Sequence, residues 1–202
     1  MNELDLRVFQ AVYQGGHGAW PPALLALTIL GSGWSTLVLV PLIWATRTRR
    51  LALALAAAVL AQAVTVWFVK RVVGRVRPWI AMGLPAPLGV PHDGSFPSGH
   101  AAGSFCVAAF LAAVLPSVFP RAAWRARLLG AMALLVAALV ALSRVCLAAH
   151  FPSDVCAGAV LGGFIGTAAA GLYRSSKEVD GTRQANEASE AHETRGAKKR
   201  SR

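Results

Sequence analysis

His150 and Asp154 stand four residues apart at the head of an apolar stretch. Pro152 lies between them, and proline is favoured in the first turn of a helix. Asp154 then falls in that turn, close to His150. A carboxylate beside an imidazole fixes its tautomer and stabilises the imidazolium, as the acid of a catalytic triad does. Between Leu6 and Lys177 the only carboxylates are Asp93 and Asp154. A histidine that owns one of them is a candidate for chemistry rather than for packing. Six residues earlier, Arg144 follows Ser143 near the end of another apolar stretch. A charge there is costly and implies a partner.

Two further segments offer anion ligands. Lys70 and Arg77 are seven residues apart, two turns of a helix less about 20° of drift, so a continuous helix points both the same way. Gly74 leaves room between them, and Pro78 is expected to end that helix. Arg71 and Arg75 are expected to point elsewhere and snorkel to head groups. Pro97-Ser98-Gly99-His100 opens the next apolar stretch. A helix start offers unpaired N–H groups and a positive dipole end. Ser98 adds a hydroxyl, and Gly99 lets the backbone approach a phosphate oxygen. His92-Asp93-Gly94 precedes this segment and reads as a turn.

The elements that carry these residues follow from the distribution of charge. Of 202 residues 55% are hydrophobic and 14% charged, against about 25% charged in a soluble domain. Charge-free runs cover Val8–Thr46, Leu51–Val69, Ala101–Pro120, Leu128–Ser143 and Val155–Tyr173. A bilayer span needs roughly 17–25 apolar residues. The expected fold is an all-α, polytopic membrane bundle of about five transmembrane helices. The spans are placed near Pro21–Ala45, Leu51–Val69, Pro97 to a point before Pro116 or Pro120, Leu128–Leu147 and Pro152–Tyr173. Residues 2–14 form an amphipathic helix, either interfacial or packed on the bundle. Residues 1–20 are thus helix and loop, with His17 a plain loop residue. Residues 21–173 are the bundle, and 174–202 a polar, basic tail expected to be disordered. Gly158, Gly162 and Gly166 form a small-residue stripe suited to close helix packing.

Arg47, Arg49 and Arg50, then Arg121, Arg125 and Arg127, then the tail, mark cytoplasmic ends by the positive-inside rule. Lys70–Phe96 and Ala148–Phe151 then lie on the outer face together. Four cations at 70–77 violate the rule there, and an anionic ligand is the simplest reason.

Lys70-x6-Arg77-Pro78, Pro97-Ser98-Gly99-His100 and Ser143-Arg144-x5-His150-x3-Asp154 together resemble the three-part signature of the type 2 phosphatidic acid phosphatase superfamily, across roughly Leu51–Gly166. The resemblance implies residue-specific roles. His150 attacks phosphorus and forms a phosphohistidine, Asp154 orients and activates it, and His100 protonates the leaving oxygen. Lys70, Arg77, Ser98, Gly99 and Arg144 hold the phosphoryl oxygens. The family works without a metal or other cofactor, in keeping with the lack of a carboxylate cluster for Mg²⁺. The substrate it implies is a lipid phosphate, and analogy within the family favours undecaprenyl diphosphate. Phosphatidylglycerol phosphate, phosphatidic acid, lipid A phosphates and transfer to another lipid are the alternatives. The compact chain looks bacterial, which would place it in the inner membrane with the site outward.

Other classes fit less well. A net charge of +11 suggests nucleic acid in a soluble protein, but here the cations cluster at span ends. Vanadium haloperoxidases resemble the same anion site but are soluble. A transporter would use buried charges as an ion relay and need no nucleophile. Cys106, Cys146 and Cys156 lack metal-ligand spacing and are expected to be buried packing residues.

Overall fold

The computed structural model describes residues 3–16, 21–30, 48–85 and 93–200. Most of the first expected span, with His17 and His92, lies outside them. Seven α-helices are described: α1 (Glu3–Gly16), α2 (Pro21–Leu30), α3 (Arg49–Val73), α4 (Pro78–Ala81), α5 (Gly99–Val118), α6 (Ala123–Cys146) and α7 (Pro152–Arg200). A 3₁₀ turn at Pro120–Ala122 links α5 to α6. Among these residues, Arg49–Ala81, Gly99–Val118, Pro120–Cys146 and Pro152–Arg183 are each long and apolar enough to cross a membrane. Leu60, Trp67, Phe68, Leu128, Leu135, Val160 and Phe164 face outward, exposed. Such a surface suits lipid rather than water. The chain is an all-α membrane helical bundle.

Glycine sets how close α7 comes to α5. A Cβ built on Gly162 would stand 1.9 Å from the carbonyl oxygen of Ala102, and one on Gly166 would stand 2.2 Å from that of Cys106. One on Gly158 would stand 2.5 Å from the carbonyl oxygen of Ser98. The stripe therefore holds two helix backbones in direct contact, as its four-residue spacing predicts.

The spacing argument for Lys70 and Arg77 needs correction. The helix does not run to Pro78. It stops at Val73, and Gly74 takes the left-handed conformation (φ 56°), its N–H capping the carbonyl of Lys70. A glycine without Cβ strain is the common way to end a helix. Arg77 follows in extended backbone (φ −75°, ψ 152°). The turn, not helical phase, brings it beside Lys70.

The choice for the N-terminal helix is also decided. α1 packs on the bundle, with Asp5 and Phe9 buried. Phe9 meets the ring of Phe151 edge-on at 5.6 Å. Residues beyond Arg174, where composition predicts disorder, continue α7 as helix to Arg200. Ala, Glu, Lys and Arg are strong helix formers, and Arg183 pairs with Glu187 one turn on. Of the cysteines only Cys106 is buried, while Cys156 is exposed. It lies on the outward surface that also carries Val160 and Phe164.

Candidate active site

The C-terminal ends of α3 and α6 and the N-terminal ends of α5 and α7 meet. The Trp79 N–H donates to the carbonyl of Ala148 at 3.2 Å, Ser95 N–H to that of Arg75 at 2.7 Å, and Ser98 N–H to that of Asp154 at 2.9 Å. His150 sits in the tight corner after α6. Its N–H and that of Ala149 both donate to the carbonyl of Arg144, and Ala148 takes a left-handed conformation (φ 52°). The corner buries His150 and places Asp154 in the first turn of α7.

The partners of His150 define its tautomer. Arg77 Nη1 lies 3.3 Å from His150 Nε2. A guanidinium only donates, so Nε2 is the acceptor nitrogen and the proton sits on Nδ1. Nδ1 stands 3.8 Å from Asp154 Oδ2, beyond hydrogen-bond reach. Ser95 fills the gap. Its Oγ is 3.4 Å from Nδ1 and donates to Asp154 Oδ2 at 2.5 Å. The chain thus runs from imidazole N–H to hydroxyl to carboxylate. Phe151 N–H adds a 2.9 Å bond to Asp154 Oδ2. Burial drives the His150 pKa down; the pull of Asp154 is outweighed by burial and by Arg77, Arg144 and Lys70, leaving it at about 4. The imidazole is therefore neutral, with the Nε2 lone pair on the side of the cations.

Arg77 is buried and donates to the carbonyl of Ala149 at 2.9 Å. Lys70 Nζ donates to Asp93 Oδ2 and to the carbonyl of Gly94, each at 2.8 Å. Arg77 also binds Asp93, through Nε to its carbonyl at 2.9 Å and through Nη2 to its carboxylate. Asp93 thus bridges the two cations and is more than a turn residue. Burial opposes its charge, but Lys70 and Arg77 hold its carboxyl below the usual range. Arg144 is buried and donates from Nη1 to Thr28 Oγ1 on α2 at 3.1 Å. Its Nε has no protein acceptor among the described residues. His100, half-buried, stands in the first turn of α5.

Ser98 is fully buried and spends its hydroxyl capping α5, accepting from Ala101 N–H at 3.4 Å. With its own N–H on Asp154, it ties the two helix starts together. Gly99 begins α5, and a Cβ there would meet only Val66 Cγ1 at 3.6 Å. Arg75 is a second correction. It does not snorkel. Nη1 bonds Asp154 Oδ1 at 2.6 Å and Ser153 Oγ at 2.7 Å, and Nη2 bonds Asp5 Oδ2 at 2.6 Å. Arg71 does lie outside the site, its guanidinium 4.9 Å from the Trp67 ring. Hydrogen bonds thus join Lys70, Arg77, His150, Asp154 and Ser98, directly or through Asp93 and Ser95, and bring in Arg75 and Asp5 as well. Among the described residues no group of three or more His, Cys, Asp or Glu side chains could hold a metal ion.

Residues 50–177 match the family model of the PAP2 superfamily. Two solved structures share the architecture. One is described as the first transmembrane PAP2 type phosphatidylglycerolphosphate phosphatase, from Bacillus subtilis. It has 23% identity and a TM-score of 0.72, over 86% of this chain and 88% of that one. The other is Aquifex aeolicus LpxE, with 25% identity and a TM-score of 0.67, over 83% of this chain and 95% of that one. No curated protein sequence matches the chain.

Proposed function

The chain belongs to the PAP2 superfamily, and from that membership we propose that it is an integral-membrane lipid phosphate phosphatase working through a phosphohistidine. The observation that carries this reading is the environment of His150. Nδ1 faces Ser95 and Asp154, while Nε2 is unprotonated beside Arg77.

In the proposed reaction Nε2 forms a bond to phosphorus as the phosphorus–oxygen bond to the lipid breaks. His100 gives its proton to the departing oxygen. The imidazole gains positive charge, which Asp154 stabilises through Ser95. Water then attacks the phosphohistidine, His100 takes a proton from it, and phosphate leaves with the nitrogen lone pair restored to His150. Lys70, Arg77 and Arg144 carry the phosphoryl charge, with the Gly99 end of α5 and Ser98 behind them. Phosphoryl transfer is mostly positioning and charge stabilisation. Fixed cations supply here what a metal supplies elsewhere, so we propose that no metal or other cofactor takes part.

Undecaprenyl diphosphate is the proposed substrate, supported by an outward-facing site under the positive-inside rule and by analogy within the family. Phosphatidylglycerol phosphate, phosphatidic acid and lipid A phosphates are the alternatives. Phosphate release by the purified protein across these lipids, with and without a chelator, tests the choice. The expected result is fastest release from undecaprenyl diphosphate, unchanged by chelation. His150→Ala is expected to abolish release while the protein stays inserted and folded. Full activity of that variant would overturn the mechanism. Label appearing in a second lipid instead of free phosphate would make the enzyme a phosphotransferase.

A further inference from the structure

Asp5 lies on α1, outside every motif of the site. It is nevertheless buried, 7% exposed, and among the described residues its side chain bonds Ser153 and Arg75, both neighbours of Asp154. Its Oδ1 accepts the Ser153 N–H at 2.9 Å, and its Oδ2 accepts Ser153 Oγ at 2.6 Å and Arg75 Nη2 at 2.6 Å. The other edge of that guanidinium holds Asp154 Oδ1 at 2.6 Å. Arg75 is therefore clamped between two carboxylates, one from α1 and one from α7. Phe151 closes the assembly, its ring 4.4 Å from the Arg75 guanidinium and edge-on to Phe9 of α1. Burial opposes the charge on Asp5, but Ser153 and Arg75 keep its carboxyl below the usual range.

We propose that Asp5 is a positioning residue for the phosphatase reaction, holding Arg75 so that Asp154 is oriented yet keeps enough negative charge to support His150. The proposal rests on the His150 mechanism above. Asp154 uses Oδ1 for Arg75 and Oδ2 for Ser95 and Phe151. Rotation of Arg75 would rotate that carboxylate and loosen the Ser95 link to Nδ1. The charge balance matters equally. With Asp5 present, one guanidinium is shared by two carboxylates. Without it, the whole positive charge falls on Asp154, which then stabilises the imidazolium less well. Charge-assisted bonds of this kind are the stronger class. The loss should appear when charge develops on His150, hence in kcat rather than KM.

The test uses the full chain in detergent with one water-dispersible lipid phosphate, measuring kcat, KM and melting temperature. Asp5→Asn is isosteric and removes the charge. We expect its kcat to fall about tenfold and KM to stay within about twofold, the size of one weakened charge-assisted bond at the transition state. Asp5→Glu keeps the charge and, at a melting temperature matching that of Asp5→Asn, should recover most of kcat. In an Arg75→Gln background, Asp5→Asn should have no further effect, because Asp5 acts through Arg75. Wild-type kcat in Asp5→Asn overturns the proposal. So does a loss confined to KM, equal losses in Asp5→Asn and Asp5→Glu, or the same fold loss repeated without Arg75. If His150→Ala still turns over, the mechanism itself fails. If His150→Ala is inactive while Asp5→Asn keeps its kcat, only the role of Asp5 fails.

Discussion

Asp93 grips Arg77 twice, through its backbone carbonyl to Nε and through its carboxylate to Nη2. The second oxygen of that carboxylate takes Lys70. Two of the proposed phosphoryl-binding cations thus share an anion supplied by the chain itself. Any phosphate that binds them competes with it. Asp93→Asn should make inorganic phosphate a stronger competitive inhibitor, by about tenfold if one charged contact is released. Inhibition constants measured against the wild type decide it. An unchanged or weaker inhibition would mean that Asp93 organises the cations rather than occupying them.

The glycine contact between α5 and α7 predicts a pair of opposite outcomes. A methyl group at Gly162 would lie 1.9 Å from a backbone oxygen, whereas one at Gly163 meets nothing within 4 Å. Gly162→Ala must push the helices apart and should cost about 1–3 kcal/mol. Gly163→Ala should be neutral or stabilise by up to about 1 kcal/mol, since alanine favours helix. Melting in detergent separates them. Equal melting temperatures would show that the two backbones are not in contact there.

His150 predicts the direction of an acid effect on stability. Its folded pKa, about 4, lies below the roughly 6.5 of a free imidazole. Below that higher value the unfolded chain takes up a proton that the folded site refuses. The contribution of His150 is therefore complete above about pH 6.5 and is lost as the pH falls towards 4. Between pH 7 and 5 the wild type should lose more melting temperature than His150→Ala. Identical slopes would show that the folded site accepts the proton.

The residues that stood out in the sequence did so because charge is expensive in apolar surroundings. Arg144, Asp154, Lys70 and Arg77 have few reasons to be where they are, and Lys70, Arg77 and Asp154 are linked through Asp93, His150 and Ser95. The all-α bundle and the glycine stripe were legible for similar reasons of composition and period. Ser95 was not legible, because a serine two residues before the proline of a helix start has many ordinary uses. Its role depends on a gap between His150 and Asp154 that only the corner geometry creates. Helical phase carried through Gly74 misplaces Arg75. The glycine itself was the available signal, since a helix that ends there releases both arginines from the expected face. Asp5 left a fainter trace as an acid among the apolar residues of α1. Its partner lies 70 positions away.

The backbone contact along Gly158, Gly162 and Gly166 has a consequence for substrate choice. α5 carries His100 at its head and α7 follows directly from His150, with Asp154 in its first turn. No side chain at those glycines can compress or rotate aside to change the gap between the two helices. The helix ends that carry the proposed proton donor and nucleophile are therefore held like the jaws of a locked calliper. Such jaws fix where the proposed phosphoryl chemistry takes place, whatever the bridging oxygen carries. In the proposed phosphatase, discrimination among lipids then falls to surfaces beyond the jaws, where changes to the tail-facing residues should alter preference without altering the chemistry.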